Sequence, residues 1–197
     1  MRQLPLNCEV YYIADFLGPA EAESLYHEIT TGFDVTNRVI IMADGSEIVT
    51  GNGNYLFCHP ELTSFKKLHE TFGARAAWTD SLIGVRERIY EQTGHCFDVA
   101  SCNYYQDGAD YIDYHHDLPA FGPTDHIASL SLGAEREFVL RSLDDPTKVH
   151  SLVMASGSLI FMGEGCQERF EHSVPPDLHC TKPRLNLSFR KYRGQSN

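Results

Sequence analysis

At Gly94 the period of the apolar residues changes, and that change narrows the folds open to this chain. Before it, apolar positions recur three and four apart. Leu82, Val85 and Ile89 make the buried stripe of a helix predicted over 79–93, and Gly94 stops it. An earlier helix is predicted where Gly18-Pro19 leads into Glu21 and Glu23, with Leu25 and Ile29 four apart. After Gly94 the period is two. Strands are predicted over 97–105, 111–115, 127–132, 138–141, 149–154, 158–162 and 184–190. Short strands that follow helices, rather than alternate with them, predict an α+β chain with a β-sandwich or jelly-roll core. They argue against a doubly wound parallel sheet.

The front of the chain adds a short strand over 9–13 and a hairpin of 39–42 and 47–50 around Ala43-Asp44-Gly45-Ser46. Gly51-Asn52-Gly53-Asn54 breaks the chain before an extended Tyr55-Leu56-Phe57. No repeat, low-complexity tract or long linker divides the 197 residues, so a single domain over 1–197 is expected. The 42% apolar and 22% charged fractions fit a globular chain. A net charge of −11 excludes a protein that holds nucleic acid mainly by bulk attraction. No apolar run approaches the roughly 20 residues that span a bilayer, and the N-terminus lacks a signal-peptide core. An intracellular protein, cytoplasmic or nuclear, with no membrane partner is expected. Cys8, Cys58, Cys96, Cys102, Cys166 and Cys180 form no C-x-x-C pair and read as free thiols.

Three stretches carry chemistry. In Tyr111-Ile112-Asp113-Tyr114-His115-His116-Asp117, an extended chain projects His115 and Asp117 together and His116 the other way. An imidazole and a carboxylate on one face are two-thirds of a 2-His-1-carboxylate facial triad, which leaves open positions on iron(II). His172 is the candidate third ligand, expected just after a strand, with His126 in reserve. His126 and His179 fall in loops and read as solvated. In Arg184-Leu185-Asn186-Leu187-Ser188-Phe189-Arg190, strict alternation puts Arg184, Asn186, Ser188 and Arg190 on one face. Two arginines facing inward need an anionic partner, and a guanidinium matches a carboxylate in a two-pronged fork. Asn103 and Tyr105 share a face of the preceding strand and offer uncharged hydrogen bonds.

In the order N-x-Y, H-x-D, distal His and R-x-N-x-S-F-R, the chain resembles the AlkB-like iron(II)/2-oxoglutarate dioxygenases. The resemblance runs from about Arg38 to Lys191 and is densest after Cys102. It includes 127–133, Arg136-Glu137-Phe138 and 157–162, which look like the family's core strands. It implies a double-stranded β-helix (jelly roll) over about 97–191, N-terminal helices, and a β-hairpin lid over about 33–60. It implies His115, Asp117 and His172 as iron ligands and catalytic residues. Arg184 is implied for the distal carboxylate of 2-oxoglutarate, Arg190 for the metal-chelating end, and Asn103, Tyr105 and Asn186 to complete the co-substrate site. With oxygen as the third reactant, the implied activity is oxidative removal of N-alkyl groups from DNA or RNA bases.

For the substrate, the resemblance implies Arg38 as a lid arginine and Tyr55 and Phe57 as lid aromatics, a flipped base stacking between Phe57 and His115. Trp78 reads as a core anchor. Two departures stand out: Asn37 precedes Arg38 where the family has proline, and Leu118-Pro119 follows Asp117 where repair enzymes carry acids. Asp113, Asp125 or Glu47 could replace those acids. The departure leaves open a hydroxylase of a small molecule or protein side chain, and a non-catalytic jelly-roll binding module. Charge is uneven: 98–135 holds acids and no Lys or Arg, and all charges in 182–193 are basic. With Arg184 and Arg190 assigned, Lys182, Lys191, Arg193, Arg38, Lys66 and Lys67 remain for phosphates. A monomer that holds a single-stranded or flexible nucleic acid through few phosphate contacts is expected.

Overall fold

The computed structural model describes residues 1–42, 44–63, 74–119 and 122–193. Lys66 and Lys67 lie outside the described residues, as do Ala43, Ala120 and Phe121. Two helices form where the apolar stripes put them, α1 over Pro19–Gly32 and α2 over Asp80–Thr93. Thr79 caps α2 by accepting the Leu82 N–H at 3.2 Å, and Gly94 closes it at φ 74°, a left-handed conformation that favours glycine. A third helix, α3, is a single turn over Cys166–Arg169 that no periodicity announced.

The strands are β1 (Arg2–Gln3), β2 (Val10–Ile13), β3 (Val39–Ile41), β4 (Glu47–Val49), β5 (Gly53–Cys58) and β6 (Ala74–Ala77). After α2 come β7 (Val99–Tyr105), β8 (Ile112–His115), β9 (Ile127–Gly133), β10 (Arg136–Ser142) and β11 (Val149–Met154). The last are β12 (Leu159–Met162), β13 (Phe170–Val174) and β14 (Arg184–Arg190). An eight-stranded sheet runs β1-β2-β12-β9-β14-β7-β5-β6, and a four-stranded sheet runs β11-β10-β13-β8. β3 and β4 form a separate hairpin with Val39 opposite Val49. This is the expected jelly roll with helices and hairpin in front. The sequence reading left out β1, β6 and β13, and in β13 this matters for the site: His172 sits within that strand, not after a strand. Its residues are buried or half-buried, so its pattern is not the alternation of a one-sided strand.

The large sheet is packed on both faces. Its outer face holds α1 and α2 through a cluster that includes Leu25, Ile29, Leu82, Val85, Ile89, Phe57 and Phe189. Its inner face meets the small sheet through Tyr105, Ile127, Phe138, Ile160, Met162 and Val174. Burying each such side chain contributes about 1.5–3 kcal/mol. Trp78 belongs to the outer cluster, 8% exposed and stacked on Phe189 with ring centroids 6.0 Å apart. All six cysteines are free. Among the described residues no helix is long and apolar enough to cross a membrane.

Candidate active site

The two sheets open around a cavity lined from both sides. The large sheet contributes Ser101, Asn103 and Tyr105 of β7, Ser129 of β9, and Asn186, Ser188 and Arg190 of β14. Register explains the convergence. In the β14–β7 ladder Arg184 lies opposite Tyr105, Asn186 opposite Asn103 and Ser188 opposite Ser101. Directly opposed residues share a face, so the polar rows of two alternating strands come together while Leu185, Leu187 and Phe189 face the helices.

The small sheet contributes His115 and His172. They are register partners in the β13–β8 ladder, with ring centroids 4.3 Å apart. The next pair is Val174 with Ile112, so β8 carries a bulge that lets both Ile112 and His115 face the cavity. Asp117 lies two residues past the end of β8 and also lines the cavity, while His116 is exposed. Donor atoms of His115, Asp117 and His172 all lie within 4.8 Å of one another, with His172 Nε2 3.8 Å from Asp117 Oδ2. Among the described residues this is the one cluster of three such groups.

The chemical state of each donor follows from its surroundings. His115 Nδ1 lies 2.8 Å from the Asp113 carbonyl, which can only accept, so Nδ1 donates there and Nε2 is the ring nitrogen left for a metal. Burial lowers the His172 pKa to about 4, against the pull of Asp117, so that ring is neutral at pH 7. Two imidazoles and a carboxylate, on one side of an open cavity, suit iron(II) in a facial arrangement.

Arg184 is 1% exposed. Its Nη2 donates to Ser131 Oγ at 2.8 Å and Asn186 Oδ1 at 3.1 Å, and its guanidinium lies 4.9 Å from the Tyr105 ring centroid. Its Nε and Nη1 are buried without a protein partner. A buried guanidinium with two unmet donors suits a carboxylate. Arg190 stands nearer the ligand cluster, Nη1 3.6 Å from Asp117 Oδ1, and also donates to the Leu118 carbonyl. Ser129 donates to Asn186 Oδ1 at 2.8 Å and fixes that amide's orientation. The sequence reading passed over Ser129 and Ser131, although they alternate with Ala128, Leu130 and Leu132 and so had to share the inner face.

The residues expected in the lid fall elsewhere. Tyr55 and Phe57 of β5 lie opposite Cys102 and Ala100 of β7, on the helix-covered face of the large sheet. Phe57 is 0% exposed and packs edge-on against Phe33, so it cannot stack on a base beside His115. Inward and outward positions alternate, and the strand entered the sheet with its aromatics on the outer face. Arg38 pairs with Asp110 and donates to the Gly51 carbonyl at 2.7 Å, which ties the chain before the hairpin to the β7–β8 turn. Asp113, Asp125 and Glu47 do not line the cavity; Asp125 is held by His126 and Lys191. His126 is not solvated: its side chain is 15% exposed and stacks on His95 with centroids 3.7 Å apart. His179 is exposed.

Other functional side chains gave no periodic signal. Arg136, 2% exposed, caps the carbonyls of Asp107, Asp110 and Pro175 and so braces the turn before β8. Gln167 of α3 accepts the Asp117 N–H at 2.8 Å.

Known proteins resemble this chain in sequence and fold. The chain is 37% identical over 122 residues to the alpha-ketoglutarate-dependent dioxygenase alkB homolog 3 of Mus musculus, covering 57% of this chain and 43% of that protein. It is 38% identical over 122 residues to the DNA oxidative demethylase ALKBH2 of Mus musculus, covering 58% of this chain and 51% of that protein. The matched region is thus about half the length of these relatives. A solved structure, titled "The structure of OsALKBH1", superposes with a TM-score of 0.64 over 95% of this chain at 14% identity, which speaks for the fold. The profile of the 2OG-Fe(II) oxygenase superfamily matches residues 9–190, nearly the full length over which the two sheets and the His-Asp-His cluster are built. The chain belongs to the 2OG-Fe(II) oxygenase superfamily.

Proposed function

We propose that this chain is an iron(II)- and 2-oxoglutarate-dependent dioxygenase that removes small N-alkyl groups from bases of DNA or RNA. The observation that carries this reading is the His115–Asp117–His172 cluster sharing one cavity wall region with Arg190, next to the unmet donors of Arg184. The substrate class is supported by a relative named as a DNA oxidative demethylase. One catalytic domain over 1–197 is part of the proposal, with the catalytic core over 97–191 and the lid of 33–60 narrowed to the β3–β4 hairpin, since β5 belongs to the large sheet.

Bound iron(II), with 2-oxoglutarate and oxygen, supplies the oxidation of a substrate C–H bond coupled to decarboxylation of 2-oxoglutarate to succinate. The chain's own residues hold and aim the reactants. His115 is held through Nδ1 by the Asp113 carbonyl and would bind the metal through Nε2, and His172 is kept neutral by burial. Arg184 receives the far carboxylate of the co-substrate on Nε and Nη1, over the Tyr105 ring. Asn103, Tyr105 and Asn186 add hydrogen bonds, and Arg190 balances charge beside Asp117. Ile112, Phe138, Met162 and Val174 supply the apolar part of an otherwise polar cavity lining. A carbon hydroxylated next to a base nitrogen then leaves as aldehyde.

The test is loss of methyl from oligonucleotides carrying 1-methyladenine or 3-methylcytosine, dependent on iron and 2-oxoglutarate and abolished in His115→Ala. No turnover on any methylated strand overturns the substrate assignment. Succinate release stimulated instead by a small molecule or peptide moves the enzyme to the hydroxylase reading, which Leu118, 65% exposed where repair enzymes carry acids, favours.

A further inference from the structure

We infer that Gln167 is a positioning residue that sets the Asp117 carboxylate for the metal, a role that rests on the proposed iron site. Asp117 lies beyond the last ladder residue of β8, so sheet pairing does not fix it. Its carboxylate has two competing neighbours. His172 Nε2 is 3.8 Å from Oδ2, and Arg190 Nη1 is 3.6 Å from Oδ1. Leaning toward His172 keeps the donors together; leaning toward Arg190 makes an ion pair that opposes metal uptake.

Gln167 acts on this balance through the backbone. Its Oε1 accepts the Asp117 N–H at 2.8 Å, and its Nε2 donates to the Met162 thioether at 3.6 Å. One end of the amide therefore holds the ligand-bearing loop, and the other is anchored to β12 beneath the cavity. Gln167 stands on α3, whose last residue leads directly into β13 and His172. The amide thus joins the segment that carries Asp117 to the segment that carries His172, a link that neither ladder provides. Arg190 completes the hold by donating to the Leu118 carbonyl. Groups that orient a ligand from behind typically change metal affinity by about 10–100-fold.

The experiment measures Co(II) binding to the metal-free protein by visible absorption, with the thermal unfolding midpoint recorded for each variant. Gln167→Leu removes the acceptor, Gln167→Asn shortens it out of reach, and Gln167→Glu keeps an acceptor oxygen at full length. Expected are an affinity at least about 10-fold weaker in the first two, wild-type-like or tighter binding in Gln167→Glu, and unfolding midpoints that do not follow that order. Binding within twofold of wild type in Gln167→Leu, or equal loss in Gln167→Glu, overturns the role. Failure of the wild type to bind Co(II) while folded overturns the metal site itself, which separates the two failures.

Discussion

A single side chain in this protein is defined by which face of its strand it occupies. Arg184 and Phe57 make the contrast. Arg184 faces inward with two donors unmet, so it waits for an anion. Arg184→Ala is expected to raise the 2-oxoglutarate requirement by at least about 10-fold, the loss of one charge-assisted pair, with smaller change at saturating co-substrate. Initial rates against 2-oxoglutarate check it, and wild-type behaviour at limiting co-substrate rules the carboxylate role out. Phe57 faces the helices within the outer cluster. Phe57→Ala should cost about 3–5 kcal/mol of stability by leaving a cavity, read by chemical denaturation. At a temperature where the variant stays folded, affinity for methylated strands should hold. Both side chains come from strands that alternate cleanly, and only the inward or outward setting of each strand separates a residue facing the cavity side from one that packs under the helices.

At the scale of elements, the hairpin β3–β4 and the pair β8–β13 behave differently. In the pair β8–β13 the edge strand β8 lies on the buried β13, and register places His115 against His172. The hairpin presents Ile41 and Val49 to solvent, 66% and 75% exposed, and is fastened by Arg38 to Asp110. That ion pair is partly exposed, so it is worth about 0.2–1 kcal/mol: enough to bias a small hairpin and too little to hold the fold. Arg38→Ala should therefore speed amide exchange across β3 and β4 and raise KM for the nucleic-acid substrate severalfold. Succinate formation without substrate should stay the same. Unchanged exchange in the hairpin would show that the pair fastens nothing.

For the whole molecule, the net charge of −11 combines with the pairing of its cations. Arg38, Arg88, Arg141 and Lys191 are each tied to a carboxylate, and Arg136, Arg184 and Arg190 are buried. Lys182 and Arg193 are exposed at the C-terminal end. Of the described cations expected at phosphates, Arg38 and Lys191 are thus paired and Lys182 and Arg193 stand exposed, so the slope of log affinity against log salt for a single-stranded ligand should be shallower than about −3, at roughly −0.7 per phosphate neutralised. A filter-binding series across salt concentrations measures it, and a steep slope would point to a basic surface that these pairings do not leave.

The sequence by itself determined the order of the motifs, the helix ends at Thr79 and Gly94, the alternation of β7 and β14, and the choice of His115, Asp117 and His172 as the candidate cluster that the fold then brought together. These are local properties, because propensity, capping and period two act over a few residues. Only the tertiary structure decided which way each strand faced and what lay across from it. That choice sent Phe57 and Tyr55 outward, turned Arg38 to Asp110, stacked His126 on His95 and placed Gln167 behind Asp117. β13 escaped the reading for the same reason: it is covered on both sides, so burial by distant strands replaced the alternation that would have revealed it.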